Sequence, residues 1–392
     1  MPTFLVIGAA NFYGRALLQQ LWRERPADGS WEIRGVDKVL PQLAAFPADV
    51  LAQYATIDYR MGNLRCAAFL AQAFARDDGR AWDFVFHFGG ELKFGQAAHV
   101  YDHDVRQLAA RVAQLSRRHG ARVLVQLSTA LVLAAGGGLR GEDAAADAHA
   151  SALAQSHADA EASARAAGVP AVVLRPALCY GPGDRQNAAP MLIMAQLSRC
   201  GAGGCEGSGS GGVGGARAMP VLWDPGLRIS TVHVADVAAA ALAAARWQQA
   251  RAGAGAAVFH VADPGDTTNA RLARAVGALF GVEPSFPSGA ANFIAKRLAP
   301  AELAEEVNQS LLGPWMRLLA AHGLSNSPLS PYMDPEHPYC RLESHPRGVD
   351  GSRITRTPGL AFSYRYPALS PEALRQVVEE FQAVGLWPAI PI

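Results

Sequence analysis

Thr3-Phe4-Leu5-Val6-Ile7-Gly8-Ala9-Ala10-Asn11-Phe12-Tyr13-Gly14 is the stretch on which the fold turns. Its first five residues form an uncharged, apolar run that predicts a buried strand, and Gly8 ends it. Beyond Gly14, the apolar positions Leu17, Leu18, Leu21 and Trp22 recur at helical spacing on one face. Strand, glycine turn and helix in this order form the context in which a Gly-rich motif points to a dinucleotide. Gly8 permits the tight turn, Gly14 lets helix and strand approach, and the N–H groups opening the helix at Phe12 and Tyr13 hold a pyrophosphate. Asn11 stands where a middle glycine is usual. Asparagine tolerates left-handed backbone, but its side chain narrows the approach to the phosphates, so weaker cofactor binding is expected. A second reading leaves the turn as a purely structural strand–helix junction.

The next strand ends Gly35-Val36-Asp37, which puts Asp37 23 residues beyond Gly14, near the offset of ~20 expected for a ribose-binding carboxylate. A carboxylate there accepts from the adenosine hydroxyls and repels a 2′-phosphate, favouring NAD over NADP, while the adjacent Lys38 argues the other way. The plainer alternative makes Asp37 a solvated turn residue.

Further strands are readable at 31–36, 82–88, 121–127 and 170–174, with helices between them, one burying Val100, Val105, Leu108, Val112 and Leu115. Such alternation predicts βαβ units. The expected class is α/β: a Rossmann-type doubly wound parallel sheet with a smaller C-terminal substrate lobe. Residues 1–187 are the expected NAD-binding domain, and 188–392 a mixed segment of substrate lobe and returning Rossmann elements, including a strand and helix near 228–248. Residues 200–218 are dominated by Gly with Ser and Ala and predict a mobile loop. The stretch 285–349 breaks the α/β pattern with Ser-Pro, Asp-Pro and His-Pro turns. A last amphipathic helix carries Leu374, Val377, Val378 and Phe381.

Half of the 392 residues are hydrophobic and the formal net charge is +1. That balance carries no electrostatic footprint for nucleic acid or an anionic membrane, so a small molecule, a protein assembly or a homodimer is the expected partner. The five cysteines are scattered without Cys-x-x-Cys spacing and predict reduced thiols. Cys200 and Cys205 have no neighbouring His or Cys to complete a metal site. A core strand beginning almost at Met1 leaves no visible leader, and the Ala-rich run 235–245 is too short to span a bilayer. A cytoplasmic protein without membrane insertion is expected.

Further motifs follow in a fixed order: Ile57-Asp58-Tyr59-Arg60, His87-Phe88-Gly89-Gly90, Leu127-Ser128-Thr129, the string Leu174-Arg175-Pro176-Ala177-Leu178-Cys179-Tyr180-Gly181-Pro182-Gly183-Asp184, Val232-His233-Val234-Ala235-Asp236-Val237, and Asp350 to Arg353 with Gly359 and Phe362. In these the chain resembles the extended short-chain dehydrogenase/reductase family, which includes nucleotide-sugar epimerases, dehydratases and 3β-hydroxysteroid dehydrogenases. The resemblance implies that a third strand ends in Asp58, which with Tyr59 lies near adenine, that Gly89, Gly90, Ser128 and Pro176 line the cofactor, and that Thr129 supplies the substrate-orienting hydroxyl. It places Arg175, Tyr180, Arg185 and Arg228 on the substrate side.

Active members of that family carry a Tyr and, four residues later, a Lys that lowers the phenol's pKa and holds the nicotinamide ribose. The resemblance puts Leu153 at the tyrosine position and His157 at the lysine position. No Tyr in the chain has Lys four residues later, and no Lys lies between Lys93 and Lys296. The leading expectation is a non-catalytic or weakly catalytic NAD-binding protein, with the cofactor in a structural, sensing or accessory-subunit role. The alternatives are an active epimerase, dehydratase or hydroxysteroid-type dehydrogenase using His157 or His149 as a substitute acid, and an interaction module within a larger assembly.

Overall fold

Continuous apolar runs can form strands only where both faces are covered, and here they assemble a seven-stranded parallel sheet. The structure is a computed structural model; it describes all residues except 135, 146, 148–150, 201–216, 252, 254, 287–299, 326 and 342–346. The strands are β1 (Thr3–Ile7), β2 (Glu32–Asp37), β3 (Asp58–Met61), β4 (Phe84–His87), β5 (Val123–Leu127), β6 (Gly136–Arg140), β7 (Ala171–Pro176), β8 (Leu178–Tyr180), β9 (Arg217–Pro220), β10 (Thr231–His233), β11 (Ala257–Val261), β12 (Val282–Ser285) and β13 (Arg347–Val349). The large sheet runs β11-β7-β5-β4-β1-β2-β3, so the winding reverses between β1 and β4. In sheets of this kind the crevice at such a reversal, outside the carboxyl ends of the strands, is where ligands sit.

Period-two alternation sends successive strand residues to opposite faces. Phe4, Val6, Phe84 and Phe86 join Leu17 and Leu21 of the helix Phe12–Glu24 and Val237 and Ala241 of the helix Val234–Gln249. Leu5, Ile7, Val85 and Leu124 pack instead with Leu70, Phe74, Leu108 and Val112. Leu17 and Leu21 are buried as the spacing predicts, whereas Trp22 is exposed.

A second apolar cluster forms the smaller lobe, where Trp315 and Trp387 are surrounded by the helices Ala189–Cys200, Asn269–Phe280, Pro300–Ala321 and Pro371–Ala383. Three short parallel pairs, β8 with β10, β9 with β12 and β6 with β13, stand apart from the large sheet. The Gly-rich stretch departs from expectation at its end, because Arg217–Pro220 is paired strand rather than loop. Residues 201–216 of that loop, and His149, lie outside the described residues. The reduced-thiol expectation holds for Cys66, Cys179 and Cys340. Cys200 is instead disulfide-bonded.

Candidate functional site

Gly8 has φ +83°, and a Cβ built on it would stand 2.4 Å from the Gly89 amide nitrogen. At Gly14 a Cβ would stand 2.0 Å from the Gly8 carbonyl oxygen. No side chain fits at either position, so strand, turn and helix meet backbone to backbone. The Gly8 and Ala9 amides donate to Val36 O at 2.8 and 3.1 Å, tying the turn to β2. Asp37 then accepts from Ala10 N through Oδ2 at 2.9 Å and from Val39 N through Oδ1 at 3.2 Å. Burial raises its pKa, against the pull of those amides. Tyr54 donates its hydroxyl to Ala9 O at 2.6 Å, and Tyr59 donates to Val39 O. The carboxylate therefore belongs to the cradle and is not a solvated turn residue.

Asn11 caps the helix. Its Oδ1 accepts from Tyr13 N at 3.1 Å and Gly14 N at 2.9 Å, while Nδ2 donates to Phe88 O at 2.5 Å. Asparagine is among the best residues for this role. The consequence is specific: the side chain takes helix-start amides that would otherwise face a diphosphate. Glycine packing and the placed carboxylate fit a dinucleotide along the turn and at its ribose end, and Asn11 competes with it at the phosphates.

Beyond the turn opens a cavity of about 540 Å³, within the range of small-molecule sites. Of the residues predicted from sequence, Asn11, Phe12, Tyr13, Lys38, Gly90, Ser128, Thr129, His157, Pro176 and Arg185 line it. Leu153 and His157 lie one turn apart on the helix Ala152–Arg165, and both face the cavity. Burial drives His157 down to about 4, with Glu161 opposing and His87 adding to the shift, and its Nδ1 has no hydrogen-bond partner. Thr129 accepts from Leu131 N at 3.2 Å. Ser128 donates to Glu161 Oε1 at 2.6 Å, and that carboxylate also receives Arg175 through Nε and Nη2, both at 2.7 Å.

Several expected positions lie elsewhere. Asp58 opens β3 rather than ending it, and pairs with Arg34 at 2.6 Å and Arg60 at 3.0 Å; the carboxyl end of the strand is followed by Gly62 and Asn63. Tyr59 braces the cradle from behind, edge-on to Tyr54. Arg175 is held by Glu161 instead of facing a substrate. Tyr180 points into the smaller lobe, edge-on to His233, and does not line the cavity. Arg228 pairs with Asp266 at 2.8 Å, also outside it.

The sequence reading missed Arg15, Phe46, Leu178, Asp184 and Glu380, all of which line the cavity. Asp184 is pushed up to about 6 by burial and accepts from the amides of Gln186, Asn187 and Ala188. Arg15 forms a buried pair with Glu380 of the last helix (Nη1 to Oε1, 2.6 Å) and lies over the Phe46 ring. The signals in the sequence were the apolar face of that last helix and the string Leu174 to Asp184, which holds Leu178 and Asp184.

The family model for the NAD dependent epimerase/dehydratase family matches residues 4–261, well over half of the chain. The chain belongs to that family. The family's description names NAD, in agreement with the expectation from Asp37. Among curated proteins no relative matches. Solved structures similar in fold align with 73% of this chain in two cases and with 98% in another. UDP-glucuronic acid 4-epimerase from Bacillus cereus in complex with NAD is 16% identical, with a TM-score of 0.55 over 73% of this chain and 87% of that one. The Bordetella bronchiseptica enzyme WbmH in complex with NAD+ is 18% identical, with a TM-score of 0.56 over 73% and 85%. The dTDP-glucose 4,6-dehydratase DesIV from Streptomyces venezuelae, with NAD and TYD bound, is 18% identical, with a TM-score of 0.62 over 98% of each chain. At such identities the likeness is one of fold. Among the described residues no cluster of metal-ligating side chains occurs, and no helix is long and apolar enough to cross a membrane.

Proposed function

We propose that this member of the family binds NAD(H) weakly in the cleft, and that the cofactor serves a structural, sensing or accessory-subunit role with little or no turnover. In this reading residues 1–187 hold the cofactor and the rest of the chain supplies a ligand lobe. The observation that carries it is the pair on the helix Ala152–Arg165. Leu153 has no proton to give, and His157 is buried and neutral, so at pH 7 no ammonium or imidazolium stands there to acidify a phenol or hold a ribose. When bound, NAD supplies hydride chemistry. The residues of this chain orient it through Asp37, the Gly8–Gly14 turn and Gly90, and exclude water with Leu153 and Leu131. A ligand that binds only the native state stabilises it by RT ln(1 + [L]/Kd), so retention without turnover is physically sensible.

Isothermal calorimetry with NAD and NADH is the test. Binding heat and a raised melting temperature are expected, with no change in NADH absorbance across a panel of alcohols and nucleotide sugars. A second reading, an active oxidoreductase or epimerase, is favoured by one observation: the unpartnered Nδ1 of His157 in a residue that lines the cavity beside Thr129. Turnover that disappears in His157→Ala would establish that reading over ours. Assembly with a protein partner or a second copy belongs to the accessory-subunit role, and a monomer in sedimentation from native extract argues against it.

A further inference from the structure

Two apolar walls flank Thr129 and His157. One is built from Phe94, Leu131 and Leu153, which share a cluster with Tyr101 and Val105. The other is Leu178, Ile229 and Val349, brought together where Leu178 N donates to Ser230 O at 3.1 Å and Val349 N donates to Ser230 Oγ at 2.9 Å.

Of the charged groups lining the same cavity, Arg15 is paired with Glu380, Arg185 donates to Ala44 O at 2.9 Å and Asp184 accepts from backbone amides, while Lys38, Glu91 and Lys93 line it outside the two walls. Arg228, the arginine in the stretch leading to His233, is turned out to Asp266. A nucleotide sugar brings two phosphate charges that need convergent cations or amide donors. Among the described residues the two walls offer none. Between them the imidazole of His157 lines the cavity beside Thr129, and a ligand hydroxyl, carbonyl or N–H would meet the edge of that ring.

We infer that the compartment between these walls takes an uncharged, largely apolar small molecule with a single hydrogen-bonding group set against His157, and not a nucleotide sugar. This deepens the reading above by naming the ligand class beside the cofactor, and it rests on that reading only in assigning the turn end of the cleft to NAD. A neutral imidazole suits such a ligand, since it both donates and accepts without leaving a charge in an apolar wall.

The test uses the full chain and the neutral fluorophore N-phenyl-1-naphthylamine, titrated with and without NAD. We expect a saturable rise in emission at one site per chain, unchanged by millimolar UDP-glucose. Leu178→Trp and, as a second filled-cavity variant, Leu131→Trp should each weaken the probe at least tenfold, folding being checked by circular dichroism. In competition, 1-naphthol should displace the probe at least fivefold better than naphthalene, and His157→Phe should erase that preference. No saturable emission, displacement by UDP-glucose, or indifference to both tryptophan variants would overturn the inference. NAD calorimetry on the same samples is read separately: missing heat removes the cofactor reading, while the fluorophore titration still decides this one.

Discussion

Asn11 shows how one side chain can complete a helix and handicap a ligand site. As the cap it satisfies two amides of the first turn and anchors itself on Phe88 O. Asn11→Gly frees those amides at a stability cost of only a few tenths of a kcal/mol, since glycine is a tolerable cap. We therefore expect NAD to bind at least tenfold tighter to Asn11→Gly in calorimetry; equal or weaker binding would show that the cap does not compete. Gly8→Ala is the opposite case. Its methyl meets the Gly89 amide in a backbone with φ +83°, so this variant should melt well below the parent and lose NAD binding. At this scale the sequence was half legible. The narrowing effect of Asn11 was readable from its position, but the form it takes, a cap that fills the donors, depends on a side-chain torsion and on Phe88 O, 77 residues away. The outward turn of Arg228 likewise depends on Asp266, 38 residues on, which no local pattern announces.

Among elements, the contact that most needs explaining joins the first helix to the last. Arg15 and Glu380 are both almost wholly buried, so each makes the other's charge bearable beside Phe46 and the glycine turn. Removing one partner of such a pair costs about 3–5 kcal/mol, whereas replacing both by apolar residues is often near neutral. Glu380→Ala should lose that much in urea denaturation, and Arg15→Met with Glu380→Leu should recover most of it; a loss below about 1 kcal/mol in the single variant would mean that water reaches the pair. The helices themselves were legible from their apolar spacing, and the strands from continuous apolar runs. Their lengths were less so: β4 is Phe84–His87 where 82–88 was expected, although Trp82 O still accepts from Arg122 N and Phe88 N donates to Ile7 O just outside those bounds. Placing Asp58 at the wrong end of β3 has the same root, since strand ends are set by pairing, here Arg34 against Asp58.

Taken whole, the molecule buries many titratable groups, and their balance makes a pH prediction. Burial pushes His87, His157, His260 and His337 down to about 4 and His233 to about 3. Between an unfolded value of about 6.5 and those folded values, the unfolded chain takes up protons that the native state refuses, so their contribution is full above that value and is lost as pH falls. Asp184 and Asp263, raised to about 6, and Asp37 and Asp236, also raised, act the other way, favouring the native state as pH drops. The five imidazoles begin to act at the higher pH and outnumber the carboxylates. The urea midpoint should therefore be lower at pH 5 than at pH 7.5; an equal or higher midpoint at pH 5 would mean that the carboxylates dominate. The α/β class and the parallel order were legible from the alternation of strand and helix around the Gly8 turn, because sheet winding follows from local chirality and short connections. The apolar walls of the cavity were not, since Leu131, Leu153, Leu178 and Val349 meet only when the lobe folds back on the sheet. The ion pair across the cleft has a bearing on biosynthesis: the cation of the first helix waits 365 residues for its counter-charge to leave the ribosome. Nascent chains stalled before that point should hold an open, protease-sensitive pocket, which makes competence for ligand wait on the synthesis of Glu380.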